Sequence, residues 1–154
     1  MALDLSNINL FTVFLAIFLG IIIVGAIAWI LEQFLYPFYT WSPEWFGPFY
    51  NTLIGLYTFI DNSIWILVLF GLLAYLAYTW NNPTPGVAVL DIIAIFLVAY
   101  ISYTFTPVAV ATNNAIPYNS VFPISYSLLI NGYLTFEIIL GLVVATIFNM
   151  RPKT

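Results

Sequence analysis

One uncharged run near the start of the chain limits what this protein can fold into. Residues 8–31 read "INLFTVFLAIFLGIIIVGAIAWIL" and contain no Asp, Glu, Lys or Arg. About 20 helical residues, each rising 1.5 Å, cross the hydrocarbon core of a bilayer. The run is too long for the apolar part of a signal peptide and no basic residue precedes it, so we expect a retained transmembrane helix.

Three more apolar segments have the length of a membrane span. They cover residues 63–80, 86–103 and 125–150. Pro85 suits the first position of the third helix, and Pro152 cannot continue the fourth. The sequence therefore predicts an all-α integral membrane protein with a single transmembrane domain, residues 1–154. Its four transmembrane helices are expected to form two hairpins and to pack as a bundle.

The composition agrees with a membrane protein and argues against several kinds of partner. The chain is 64% hydrophobic and 5% charged, whereas soluble domains are about a quarter charged. A net charge of -4 with only two basic residues provides no electrostatic footprint for nucleic acid or for an anionic membrane surface. Cys and His are both absent, which removes the usual ligands of haem, copper and zinc. We expect no cofactor, no metal site and no nucleic acid.

The two basic residues predict the orientation. Arg151 and Lys153 follow the fourth segment, and positive residues are concentrated in cytoplasmic segments of membrane proteins. With four spans, both termini are predicted to lie on the cytoplasmic side of a cell membrane, with a virion membrane as the alternative. The connections 36–51 and 104–124 would then lie outside.

Aromatic residues are concentrated near the ends of the spans. The connection 36–51 is rich in Pro and aromatic residues, and Trp and Tyr rings favour the headgroup level of a bilayer. Trp41, Trp45 and Trp80 are therefore predicted to be interface anchors. An ordered cap or a docking surface for a partner is the alternative for the first connection.

Small residues recur at helical spacing and predict where helices approach one another, because helices in lipid associate at small side chains. Those residues are Ala16 and Gly20 in the first span, Gly71 and Ala74 in the second, and Gly141 and Ala145 in the fourth.

Glu137 is the sharpest candidate for a functional residue. It lies near the middle of the fourth span, and helical spacing places Tyr133 and Gly141 on its face. A charged side chain at that depth costs at least about 2.5 kcal/mol. Its candidate hydrogen-bond partners on other spans are Tyr75, Tyr100 and Ser102.

Three interpretations of Glu137 stay open. It is a neutral hydrogen-bond donor within the bundle or to a neighbouring subunit, or it pairs with a cation of another polypeptide, since no predicted span contains Lys or Arg. In the third, it binds a proton or ion in a transporter. The other acids have ordinary explanations, and Asp61 and Asp91 are expected to stabilise the starts of the second and third helices.

The sequence contains no catalytic constellation. No phosphate loop, zinc-protease motif or nucleophile elbow is present, and the serines have no His to activate them. We therefore expect a non-catalytic structural or accessory subunit of a larger membrane complex, either a respiratory or other membrane-enzyme assembly or a viral membrane shell. Its partners would be other membrane subunits or copies of itself, together with lipids. The alternative is a small proton- or cation-coupled transporter or channel component that uses Glu137.

Overall fold

The chain is helical over almost all of residues 10–152, which are the residues that the computed structural model describes, with side chains from Thr12 onward. Residues 8 and 9, where the predicted first span begins, and Lys153 lie outside this part. The elements in chain order are α1 (Leu10–Trp41), α2 (Pro43–Asn81), α3 (Pro85–Ala115), a 3-10 helix (Tyr118–Ser120), α4 (Pro123–Ile130) and α5 (Tyr133–Asn149).

Proline marks the start of three helices. Pro43, Pro85 and Pro123 each occupy the first turn of α2, α3 and α4. The ring holds φ near its helical value, and the missing N–H is one that has no partner inside the helix. The start predicted at Pro85 is therefore confirmed.

Three helices, α1, α2 and α3, are long and apolar enough to cross a membrane, and α4 with α5 adds a fourth span if the bent pair is counted as one. The prediction of an all-α protein with membrane-spanning helices is confirmed to this extent. The four-helix bundle and the sidedness of the termini stay predictions.

The last predicted span, 125–150, is not one continuous helix. It is broken between α4 and α5, whose axes differ by 62°. Gly132 lies at the break with φ of 71°, the only positive φ in the described part of the chain. Residues with a Cβ adopt this left-handed conformation at a cost, whereas glycine does not. The apolar pattern continues through the break, so hydropathy alone did not reveal it.

Both predicted outer connections are shorter than expected. Ser42 alone separates α1 from α2, and α3 continues through Pro107 to Ala115. Helices of membrane proteins tolerate internal proline when neighbouring groups satisfy the freed backbone. At 1.5 Å per residue the 32 residues of α1 extend about 48 Å, well beyond the ~30 Å hydrocarbon core.

The core lies where α5 packs against α2 and α3 and where α1 covers them. Its fully buried side chains include Phe14 and Phe18 of α1, Val98 of α3, Leu129 of α4, and Leu134 and Leu142 of α5.

Tyr118, in the 3-10 helix between α3 and α4, contacts both α1 and α3. Its side chain is fully buried, and its hydroxyl donates a 3.1 Å hydrogen bond to the carbonyl oxygen of Ala109. A Cβ placed on Gly25 would lie 2.7 Å from the Tyr118 ring, so the glycine allows the two segments to touch. Burial raises the pKa of Tyr118 to about 12.

Candidate functional site

Asp91 lies in the second turn of α3 and is 4% exposed. Its Oδ1 accepts a 2.7 Å hydrogen bond from the Tyr75 hydroxyl, and its Oδ2 accepts a 3.0 Å bond from Nδ2 of Asn149. Asn149 in turn accepts a 3.1 Å bond from the backbone N–H of Thr84. These four residues, the Asp91 cluster, join α2, α3 and α5 at the end of the molecule where the three helices meet.

The Asp91 cluster has the character of a structural site. Both carboxylate oxygens already accept hydrogen bonds, and buried polar groups stabilise a fold when their partners are present. Residues 10–152 contain no group of three or more His, Cys, Asp or Glu side chains placed to hold a metal ion. The sequence predicted only that Asp91 stabilises the start of α3. The structure shows that it also accepts hydrogen bonds from Tyr75 of α2 and Asn149 of α5.

Asp61 caps another helix rather than its own. It is 3% exposed and lies midway along α2, because α2 begins at Pro43. Its carboxylate accepts hydrogen bonds from the backbone N–H of Ile124 at 3.0 Å and of Ser125 at 2.7 Å. The first N–H groups of a helix have no partner inside it, so Asp61 satisfies two of those of α4. The expectation that Asp61 starts the second helix was wrong.

Glu137 is half-buried in α5, one turn after the break. It forms no hydrogen bond with any side chain or backbone group of residues 12–152. Two of its predicted partners bond to other residues: the Tyr75 hydroxyl donates to Asp91, and the Ser102 hydroxyl accepts a 2.8 Å hydrogen bond from Thr135. Tyr100 is 66% exposed.

The position of Glu137 is at the edge of an exposed apolar face. Tyr133, Phe136 and Leu140 on α5 are all more than half exposed. On the other side of Glu137, Gly141 contacts α2, where an added Cβ would lie 2.8 Å from Leu72. Glu137 precedes Asn149 by twelve residues, a rise of about 18 Å along α5.

The predicted packing residues have different surroundings. Gly141 and Ala145 are buried, and Gly141 lies against Leu72 of α2. Ala16 and Ala74 are exposed. Gly20 and Gly71 have open space where a Cβ would project.

Gly20 and Gly71 lie on the walls of an apolar groove between α1 and α2. The groove has a volume of about 550 Å³. Its lining includes Phe14, Ile60 and Leu67, and the side chains around it are all apolar. Such a surface at membrane depth suits acyl chains or the apolar side chains of another helix.

An ordered aromatic end closes the α1–α2 hairpin. Tyr39 and Tyr50 stack with their ring centroids 4.7 Å apart, and the Tyr50 hydroxyl donates a 3.0 Å hydrogen bond to Glu32. Trp41 and Trp45 are 79% and 84% exposed. The rings are thus held in place by the helices while their outer surfaces stay open.

Trp80 lies at the opposite end of α2. Its ring is covered by the guanidinium of Arg151, whose central carbon is 3.6 Å from the ring centroid. The same guanidinium donates a hydrogen bond to the Trp80 carbonyl oxygen. Trp80 is therefore part of a polar contact that joins the ends of α2 and α5, which the aromatic pattern alone did not predict.

No family model, curated protein or solved structure matches this chain. The proposals for its function therefore depend on the residues described above.

Proposed function

We propose that this protein is a non-catalytic subunit of a larger membrane protein assembly, in which Glu137 contacts a polar or cationic group of another subunit. The observation that carries the proposal is the Glu137 carboxylate, which has no hydrogen-bond partner in residues 12–152. In the proposed fourth span this carboxylate lies at membrane depth. A charged group exposed to lipid at that depth costs at least about 2.5 kcal/mol. A group from another polypeptide would remove this cost.

The apolar groove supports the same proposal. Association of helices in lipid depends on close packing at small residues, and Gly20 and Gly71 leave room on both walls of the groove. A helix of a partner subunit could place side chains there without moving the backbone of α1 or α2.

The aromatic end offers a second surface for contact. Trp41 and Trp45 are both more than three-quarters exposed at the tip of the α1–α2 hairpin. Aromatic residues are enriched in the cores of protein interfaces. This supports a docking role for the end in addition to anchoring at the headgroups.

We place the protein in a cell membrane as a four-span bundle, with α4 and α5 together as the fourth span and with both termini cytoplasmic. The support is the position of Arg151 at the end where α2, α3 and α5 meet, since basic residues are concentrated on the cytoplasmic side.

A second candidate function is proton- or cation-coupled transport. The observation that favours it is the break at Gly132, one turn before Glu137. Broken membrane helices place unpaired backbone groups at membrane depth, and transporters use such breaks to bind ions and substrates. In this alternative the Glu137 carboxylate binds the proton or cation itself.

The deciding experiment is gentle solubilisation from native membranes, followed by native mass spectrometry of the wild type and two variants. Glu137→Leu removes every polar group at the position, and Glu44→Gln is the matched control because Glu44 is exposed on α2. We expect stoichiometric companion chains with the wild type and with Glu44→Gln, and their loss with Glu137→Leu.

Glu137→Gln distinguishes a cationic partner group from a neutral hydrogen-bond partner. If a cation of the partner faces Glu137, the amide leaves that cation unpaired in a dry site and the companion is lost. If the contact is a neutral hydrogen bond, the amide replaces it and the companion stays. A homogeneous homo-oligomer without companions would overturn the proposal. Ion flux by that oligomer in liposomes, abolished by Glu137→Gln, would support transport instead.

A further inference from the structure

A polar cavity lies beside the turn between α2 and α3, at the end where α5 finishes. Its volume is about 820 Å³. None of the residues that the structure describes in its lining has a carboxylate side chain. Its lining includes Tyr78, Trp80, Asn81, Asn82, Thr84 and Arg151.

We propose that this cavity binds the phosphate group of an anionic membrane lipid. The inference is independent of the proposed subunit function, because it requires no other polypeptide. The phosphate would lie against the Arg151 guanidinium, and the acyl chains would follow the outer surfaces of α2 and α5 into the membrane.

Arg151 is held in place but keeps donors available. Its guanidinium lies over the Trp80 ring with a distance of 3.6 Å to the centroid, and Nη2 donates to the Trp80 carbonyl oxygen. Its Nε is buried without an acceptor. A guanidinium has five N–H donors in a planar fork that matches a phosphate. The bond to the Trp80 carbonyl uses one Nη donor, so a phosphate oxygen in the cavity would accept from the remaining Nη donors rather than from the buried Nε.

Two features beside Arg151 favour an anion. Thr84 precedes the first turn of α3, and the start of a helix carries a partial positive charge. The Asp91 carboxylate nearby does not line the cavity and is occupied by Tyr75 and Asn149. Among the described residues of the lining, the one charged side chain is thus the cation Arg151, although the whole chain carries a charge of -4.

The surroundings favour a lipid as the source of the phosphate. Tyr78 and Trp80 lie at the end of an apolar helix, and such rings settle at the headgroup level. Leu73, seven residues before Trp80 and on the same face of α2, is 50% exposed. Ile147, four residues before Arg151, is 60% exposed. Apolar surface therefore leads from the cavity toward the membrane interior.

The sequence-based expectation of no attraction to anionic membranes concerned the whole chain, where two cations oppose six acids. A site for one lipid needs a single cation with free donors, and only the tertiary structure places Arg151 over Trp80.

The test uses the purified full chain and native mass spectrometry with defined lipids. Dioleoyl phosphatidylglycerol and dioleoyl phosphatidylcholine have the same acyl chains and differ in net charge, and inorganic phosphate serves as the soluble probe. The variants are Arg151→Gln and Arg151→Lys. The matched control is Lys153→Gln, which removes one positive charge two residues away.

We expect the wild type and Lys153→Gln to bind phosphatidylglycerol with equal affinity and in preference to phosphatidylcholine. Arg151→Gln should bind it at least about tenfold more weakly, because the charge-assisted hydrogen bonds to the phosphate are lost. Arg151→Lys keeps the charge without the planar fork and should be intermediate. Circular dichroism of each variant verifies that the helices are retained.

Three results would overturn the inference. Equal loss in Arg151→Gln and Lys153→Gln would mean diffuse attraction to the end of the chain. No preference for phosphatidylglycerol over phosphatidylcholine would mean that the cavity does not select charge. Displacement of the lipid by inorganic phosphate at equal concentration would assign the cavity to a soluble anion. If Arg151→Gln does not fold, Arg151→Lys decides alone, and unchanged binding by it rejects a role for the fork.

Discussion

The Oδ1 atom of Asp61, midway along α2, accepts a 2.7 Å hydrogen bond from the backbone N–H of Ser125 in the first turn of α4. The second carboxylate oxygen accepts from the N–H of Ile124 at 3.0 Å. The side chain of a residue midway along α2 thus caps the first turn of α4. Because Asp61 is 3% exposed, water cannot easily replace it.

We predict that Asp61→Ala destabilises the protein strongly, because each buried N–H left without an acceptor costs about 1–3 kcal/mol. Asp61→Asn keeps one side-chain oxygen and should lower the free energy of unfolding by roughly half as much. Thermal unfolding in detergent, followed by circular dichroism, measures both. Equal melting temperatures for Asp61→Ala and the wild type would mean that this cap does not hold α4 in place.

Asn149 links the turn before α3 to the Asp91 carboxylate, since it accepts from Thr84 and donates to Asp91. Asn149→Ala should lower the free energy of unfolding by about 1–3 kcal/mol, because the buried Asp91 carboxylate and the part-buried Thr84 N–H each lose a partner. Asn81→Ala is the control, since Asn81 is exposed and bonds only within its own helix. The same melting experiment compares them, and similar losses would contradict a special role for the Asp91 cluster.

Gly141 allows α5 to approach α2 at Leu72, where an added Cβ would lie 2.8 Å from a Leu72 methyl group. Gly141→Ala is therefore expected to destabilise by about 1–3 kcal/mol through overpacking. Leu72→Ala leaves a cavity by itself, and the double variant should lose less than the sum of the two single losses. Strictly additive losses would show that the two side chains do not compete for the same space.

Gly71→Ala is the control for Gly141→Ala. No atom lies within 4 Å of the position where a Cβ of residue 71 would be. Alanine in a helix interior is more stabilising than glycine by about 0.5–1 kcal/mol. The isolated chain should be slightly stabilised. A marked destabilisation of the isolated chain would mean that the groove between α1 and α2 is closed in the membrane.

Gly132 is the one residue of the described chain whose backbone requires glycine, with φ of 71°. Gly132→Ala should cost about 1–2 kcal/mol, because the left-handed conformation brings Cβ too close to a carbonyl oxygen. Gly55→Ala is the matched control, because Gly55 lies within α2 and no atom lies within 4 Å of its Cβ position. This variant should leave the stability unchanged or raise it. If Gly132→Ala is also neutral, the break between α4 and α5 does not persist in the membrane.

The class of the protein follows from the order of its residues. A long apolar run must leave water, and the bilayer accepts it as a helix because every backbone group is then satisfied within the segment. The helices and the start at Pro85 could be predicted for this reason, since each depends on neighbours in the chain. The helical structure of residues 36–41, 43–51 and 104–115 was harder to predict, because proline stops helices in water far more reliably than in membrane proteins.

The polar contacts were decided by tertiary structure. Tyr75 and Asn149 reach Asp91 across 16 and 58 residues of sequence, and Asp61 reaches Ser125 across 64. Hydropathy and spacing report which side chains share a face of one helix, but they do not report how two helices rotate against each other. The sequence alone determined that Glu137 is an acid in an apolar run. Only the packing of α5, which turns Gly141 to Leu72 and leaves Glu137 at the edge of an exposed face, decided that no described residue pairs with it.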